Sequence, residues 1–345
     1  MKAITFGSAM IDIITVIGSD SIEQISLSNA HQQFLLVEPG RKVEAQSITR
    51  HIGGGALNTA VSLKKLGCDV SPVIKTGEDV PRDHVLQHCK THQLNAENFL
   101  VDSEDNTGSA IMIASHEKNA AIFTQRGANT TLIDKDLDRV TPLEADLVHA
   151  APMSGASAKM LPRISELAKE AGAFFSSNPG IRQITKLPNT VLNAARNMSL
   201  ISINEVEAAA LIPCLSTLEK DMDWREPSSN EPIIKTAGGE IALQQFCEVM
   251  TARGPNYVLI THGAEGAYLF DGQTLHHQSV IPAKVSGTAG AGDSFVSTLG
   301  WALKSGHRCE EALLLAAHNA SSVVSFINTT DGLLAKEKLF KRAGL

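Results

Sequence analysis

Short alternating runs of apolar and β-branched residues, rather than long helical stripes, fill the first fifty positions. Lys2–Gly7 and Met10–Val16 are rich in Ile, Thr and Val around a Gly7-Ser8 break. With a further alternating stretch near Phe34–Val37, they predict a chain that opens with strands. From Gly55 the period changes. Leu57, Ala60, Val61, Lys64 and Lys65 fall at helical offsets and Gly67 supplies a stop, so a helix is predicted directly after the glycines at 53–55. Val70–Ile74 reads as a strand, 81–94 as an amphipathic helix, and 107–114 with 120–125 as the arms of a hairpin.

Beyond Pro142 the pattern alternates regularly: strand near Leu147, helix 157–171, strand 173–177, helix 188–196, strand 198–202, helix 204–211. Repeated βα units of this kind predict an α/β fold with a mostly parallel sheet and helices on both faces, and a ligand site at the strand ends. Charge, serine and proline then break the rhythm over 213–239, which reads as a mobile surface insertion without regular structure. Helix 241–252, strands 256–261, 267–270 and 275–281, and helices 290–305, 309–327 and 335–342 complete a chain with no visible internal repeat. Residues 1–345 are read as one domain.

Composition narrows the function. The 345 residues are 43% hydrophobic and only 4% aromatic, with 37 acidic against 30 basic side chains and a net charge of −7. A chain that wraps nucleic acid would show the opposite charge. No stretch approaches the roughly 20 consecutive apolar residues of a membrane span, and the N-terminus lacks the features of a secretory signal, so a cytoplasmic protein is expected. Cys68, Cys89, Cys214, Cys247 and Cys309 show no Cys-x-x-Cys spacing, which suggests neither a disulfide framework nor a zinc site.

Four strings carry candidate chemistry. The sharpest is Gly287-Thr288-Ala289-Gly290-Ala291-Gly292-Asp293, at the opening of a helix. Glycines there leave backbone N–H groups free at the positive end of the helix dipole, which makes an anion hole. Asp293 would repel a phosphate it merely faced, but as a general base beside the hole it could take the proton of an attacking hydroxyl. An ordinary glycine turn with a dipole-favoured carboxylate is the plain alternative.

The second string, Gly53-Gly54-Gly55-Ala56-Leu57-Asn58, has neither the lysine of a Walker loop nor the spacing of a dinucleotide fingerprint. Together with Asp12, a carboxylate on a β-type run, its amide and bare glycine N–H groups suit a polyhydroxylated ligand. In the third, Asn204-Glu205-Val206-Glu207, the outer pair either forms a capping box or lets Glu207 face phosphates through magnesium and water. The fourth, Thr261-His262-Gly263-Ala264-Glu265-Gly266, is a strand-glycine-strand turn. His84, His88 and His92 recur every fourth residue but read as a solvated helix face rather than a metal site, and His276-His277 as a strand edge.

In this order and βα context, the four strings resemble the ribokinase-like (PfkB) carbohydrate kinase family over nearly the whole chain. The resemblance implies a three-layer α/β sandwich with a mostly parallel central sheet and a small β lid, here parts of 10–52 with 107–125. It implies ATP-dependent phosphorylation of a sugar or nucleoside hydroxyl. Asp293 would be the base; Gly290, Ala291 and Gly292 the anion hole; Asp12, Gly54, Gly55 and Asn58 the acceptor site. Asn204, Thr261, Gly263, Gly266 and Asn319 would serve the nucleotide and Glu207 the Mg²⁺. A homodimer through the lid is in keeping with it.

Three departures qualify the match. Gly287 replaces an aspartate that helps relatives bind a monovalent cation, so potassium activation is not expected. Asn178-Pro179-Gly180-Ile181-Arg182 stands where many sugar kinases have Asp-Pro-Asn-x-Arg, and the interval from Asp12 to Gly53 is closer to that of nucleoside kinases. A sugar kinase leads. A nucleoside kinase follows, because only Phe34, Phe99 and Phe123 near the lid offer a platform for a base. A non-catalytic sugar or nucleotide sensor is the rival of another class, and retention of Asp293 with Glu207 argues against it.

Overall fold

Strand β1 (Lys2–Phe6) is buried at every position but its first, and leads within four residues into a different sheet, β2 (Met10–Ile17). The computed structural model describes residues 1–18, 23–26, 33–36, 40, 42–115, 120–140, 143–218 and 223–345. Strands β3 (Glu23–Ser26) and β4 (Gln33–Leu36) pair only with each other, and β5 (Ala45–Gly53) returns antiparallel to β2. Helix α1 (Gly55–Lys65), strand β6 (Asp69–Thr76), helix α2 (Val80–Thr91) and strand β7 (Phe99–Val101) follow. The expected hairpin then appears as β8 (Gly108–Ser115) and β9 (Ala120–Gln125). Its turn at 116–119 lies outside the described residues.

The regular half comprises α3 (Asp134–Leu137), β10 (Leu147–Ala150), α4 (Leu161–Glu170), β11 (Phe174–Ser177), α5 (Ile181–Lys186), α6 (Pro188–Ala195), β12 (Leu200–Asn204) and α7 (Glu205–Leu218). After β13 (Ile233–Thr236), β14 (Gly239–Ala242) and α8 (Leu243–Thr251) come β15 (Tyr257–Thr261), β16 (Ala267–Phe270) and β17 (Leu275–Gln278). Helices α9 (Ala291–Lys304), α10 (Cys309–Val323) and α11 (Lys336–Ala343) close the chain.

Nine strands form the main sheet in the order β17-β16-β15-β12-β11-β10-β1-β6-β7, parallel from β15 to β7. Such strands are covered on both faces and therefore read as near-continuous apolar runs, as in the fully buried Leu147–Ala150. Phe6, Phe175, Ile164 and Phe246 belong to the core on one face; Leu57, Leu147, Leu299 and Leu313 belong to that on the other. The order turns around β1, whose carboxyl end meets α1 and the second sheet, β5-β2-β8-β9. That sheet is the expected lid, drawn from β2, β5 and the hairpin. The expected contribution near 34–36 is instead the separate β3–β4 pair.

Two readings of the sequence are corrected. Segment 213–239 is not devoid of regular structure: α7 runs through Pro213 to Leu218, and the Ala237-Gly238 turn joins β13 to β14 in an antiparallel hairpin that buries Ile234 and Ile241. Trp224 stacks on Phe246 with ring centroids 6.5 Å apart and donates from Nε1 to Ser216 Oγ at 2.8 Å. Residues 219–222 lie outside the described set. The α2 histidines are not a solvated face either. His88 and His92 are half-buried with ring centroids 4.4 Å apart, and burial pushes the His88 imidazole down to about 4. An uncharged imidazole costs less to desolvate than a charged one, so the pair sits on the partly covered side of the helix.

Candidate active site

Glycine geometry builds the side of the site that holds Asp12. Gly54 caps α1 with φ +101°, a conformation that L side chains rarely adopt, and any β-carbon there would collide with the Ser8 carbonyl oxygen. This contact, with the Ala56 N–H donating to Ser8 O at 3.2 Å, brings the start of α1 against the β1–β2 crossing. Neighbouring Gly53 leaves room for Asp12, whose Oδ2 would lie 2.6 Å from a β-carbon at that position. Gly55 does the same for Ala151, 2.6 Å from its own missing β-carbon, and Asp293 Oδ1 lies 3.8 Å from that point. Asp12, Gly53, Gly54, Gly55 and Asp293 thus converge although the chain separates them by nearly its whole length.

Asn58 joins these parts. It is only 5% exposed, donates from Nδ2 to Asp293 Oδ2 at 2.8 Å, and accepts at Oδ1 from the Thr329 hydroxyl at 2.7 Å. Thr329 also packs against Gly290, where a β-carbon would stand 2.8 Å from Thr329 Cβ. The Asn178 amide also lies near enough to Asp293 to favour its ionised form. Its carboxyl is nevertheless pushed up to about 6, because burial outweighs the two amides that favour the ionised form. The Asp12 carboxyl is also raised, again by burial, with His51 on the facing strand pulling the other way.

The opposite side is an anion cradle. Gly290 caps α9 in a left-handed conformation with φ +79°, and a β-carbon on Gly292 would meet nothing within 4 Å. The first-turn N–H groups of a helix have no partners within it, so here they face open space with the dipole behind them. Beside this turn is a cavity of about 290 Å³ that brings together Thr261, Gly263, Gly266, Ala291 and Gly292. Val280, Ile281, Phe295 and Val324 form much of its apolar wall; nothing but their apolar character marked them in the sequence.

Two expected nucleotide residues sit differently. Asn319 does not line this cavity: it is fully buried, bonded from Nδ2 to Thr298 Oγ1 at 2.8 Å and at Oδ1 by the Leu334 N–H at 2.9 Å. Helix α10 turns Ala317, Ala320, Ser321 and Val324 toward the cavity, and Asn319 lies off that stripe. Asn204 and Glu207 form the capping box, with reciprocal hydrogen bonds of 2.9 Å. Glu207 also accepts from the Ile181 N–H, and burial raises its carboxyl above the usual range. His262 Nε2 stands 3.2 Å from Glu205, tying this turn to the 261–266 turn.

Sequence reasoning missed His149, Ser176, Thr329 and Arg126. His149 is fully buried, with Nδ1 2.8 Å from Ser176 Oγ and Nε2 3.1 Å from Asn178 Oδ1. Arg126 follows the last lid strand, and burial and then the nearby Arg182 guanidinium push it below the usual arginine range. No ion pair holds either guanidinium among the described residues.

The profile of the pfkB family of carbohydrate kinases matches residues 12–336. Over 331 residues the chain is 23% identical to the bifunctional ribokinase/ribose-5-phosphate isomerase A of Fructilactobacillus sanfranciscensis, covering 94% of this chain but only 55% of that longer protein. It is also 23% identical over 303 residues to the 5-dehydro-2-deoxygluconokinase of Shouchella clausii, covering 84% of this chain and 85% of the relative. Among solved structures, Arabidopsis thaliana ribokinase complexed with ribose and ATP superposes with a TM-score of 0.75 at 22% identity, covering 100% of this chain and 99% of that one. The nucleoside kinase of Burkholderia thailandensis in complex with inosine gives 0.73 at 17% identity, covering 99% and 97%. These likenesses establish the fold.

Proposed function

The chain belongs to the pfkB family of carbohydrate kinases, phosphotransferases with an alcohol acceptor, and from that premise we propose that it is an ATP-dependent sugar kinase with Asp293 as its general base. The observation that carries this reading is the meeting of a half-buried carboxylate, raised to about 6, with a glycine-built helix N-terminus. At neutral pH Asp293 is ionised and can take the acceptor hydroxyl's proton. The freed oxygen forms the new bond to the γ-phosphorus, the bond to the β-phosphate bridge breaks, and ADP leaves. The α9 N–H groups stabilise charge on the transferring group.

Asp12 and the Gly53–Gly55 backbone would hold the acceptor, and the cavity beside Thr261, Gly263 and Gly266 the nucleotide. Family members use Mg-ATP, and the oxygen donors of Asn204 and Glu207 fit a magnesium ion held through water. Bound there, Mg²⁺ would neutralise phosphate charge.

The described aromatics favour a sugar over a nucleoside. Phe123 lies beside Ile111 and Ile13 on the lid face opposite Asp12, and Phe99 packs into the core, so neither offers a base a platform in the acceptor site. The side chain of Phe34 lies outside the described set. The Arg126 guanidinium, which burial and the charge of Arg182 hold below the usual range, favours a carbohydrate acid among the possible sugars, since an anion would offset that charge. A homodimer through the lid accounts for the exposed apolar face of Ile48, Ile111 and Phe123, 68%, 45% and 62% exposed.

ADP release is to be measured with Mg-ATP and a panel of pentoses, hexoses, sugar acids and nucleosides. At least one carbohydrate should turn over, and Asp293→Asn should lower kcat by about 10²–10⁴-fold. Turnover of nucleosides alone would replace the sugar reading, and no turnover with any acceptor would leave the sensor.

A further inference from the structure

The inner edge of the site continues as a line of polar groups into the centre of the main sheet. Ser176 on β11, His149 on β10 and Asn178 just beyond β11 stand in hydrogen-bond contact, and the Asn178 amide lies near enough to Asp293 to favour its ionised form. His149 is 0% and Ser176 1% exposed, on the sheet face they share with the core residues Leu147 and Leu200. Polar groups there cost free energy unless every one is paired, so an apolar side chain at position 149 would serve packing alone at lower cost.

The direction of every bond follows from the charge on Asp293. An ionised carboxylate only accepts, so Asn178 must present its amide N–H to it. The carbonyl of Asn178 then faces His149, which fixes the hydrogen on Nε2. Nδ1 is left as an acceptor, and the Ser176 hydroxyl donates to it. On the other side Asn58 donates to the second oxygen and is itself held by the Thr329 hydroxyl.

We propose that His149 is a positioning residue for the phosphoryl-transfer base: as the neutral Nε2–H tautomer it holds the Asn178 amide against Asp293, and so sets the rotamer and basicity of that carboxylate. Burial supports the neutral form, pushing the imidazole down to about 4, with the Asn178 hydrogen bond as the opposing influence. Asp293 is shifted by burial and by the Asn58 and Asn178 amides. No ionised side chain contributes to either shift among the described residues, so the coupling between them runs through Asn178.

The inference rests on Asp293 as base, and its test separates the two. In the wild-type protein, imidazole ¹⁵N spectra from pH 5 to 8 should show His149 as a neutral Nε2–H tautomer, a readout independent of any activity. A Nδ1–H tautomer or an imidazolium would overturn the proposal even in an active kinase. With an acceptor from the panel, His149→Phe should lower kcat by about 10- to 100-fold, less than the roughly 10²–10⁴-fold of a general base itself. KM for ATP should change less than twofold. Losing the Asn178 donor should also move the acid limb of the kcat profile to higher pH.

His149→Gln, which can still donate to Asn178, should recover most of kcat and return the limb. If His149→Phe does not fold, Ser176→Ala should show the same shift of the limb, smaller. An unmoved limb in a folded variant, or a kcat loss that Gln does not recover, would reduce His149 to a packing residue.

Discussion

Asp293 pays for its reactivity in stability. A carboxyl raised to about 6 on folding binds its proton more tightly in the folded than in the unfolded state. Its contribution is therefore favourable below the ordinary carboxylate range and is lost as pH climbs through about 4 to 6. Asp293→Asn should consequently melt higher than wild type at pH 7.5, with the difference closing at pH 4.5; an equal or lower Tm at pH 7.5 would contradict the buried-charge account. For catalysis the sign reverses. The base must be ionised, so kcat/KM should fall tenfold per pH unit below about 6. Arg182→Ala should raise KM about tenfold or more for an acid acceptor, the loss of one charge-assisted hydrogen bond of ~1.5–3 kcal/mol, and leave KM for ATP unchanged. Equal KM for acid and neutral sugars in wild type and variant would remove the anion subsite.

At the scale of elements, sequence strings with short-range physical signals were the legible part. The glycines at 53–55 and 290–292 announce helix starts that approach a ligand, and those helices begin at Gly55 and Ala291. The same locality explains what stayed hidden. Nothing near His149 in sequence reveals that its partner Asn178 lies near Asp293, more than a hundred residues on, because parallel strand order alone brings them together. That Asn319 does not line the cavity was hidden for a related reason: a helix can be found from its period while the face it shows to a cavity depends on its neighbours. The 213–239 segment was misread because its charged stretch masked the Ile-Ile and Gly-Gly signals of β13 and β14. Among the caps, Gly54 bears the strictest demand. Gly54→Ala should cost about 1–3 kcal/mol in backbone strain alone, with the Ser8 collision added, and show as a lower denaturation midpoint.

Over the whole molecule, one large sheet positions Asp293 and the cavity beside Gly292, while a four-stranded sheet supplies Asp12 from one face and exposes Ile48, Ile111 and Phe123 on the other. No helix among the described residues is long and apolar enough to cross a membrane. Sedimentation should find a dimer that Phe123→Glu converts to monomer without unfolding; a monomeric wild type would assign the patch to something other than self-association. The lid is also assembled from distant parts. Strand β2 pairs in parallel with β8, Met10 opposite Gly108, and their separation in the chain contains α1, β6, α2 and β7. A ribosome making this protein therefore releases β2 and β5 as a bare hairpin well before β8 exists to cover its open edge. The Asp12 end of the site is thus the first to emerge, and until residues 108–115 follow, β2 is the edge through which two nascent chains would find each other.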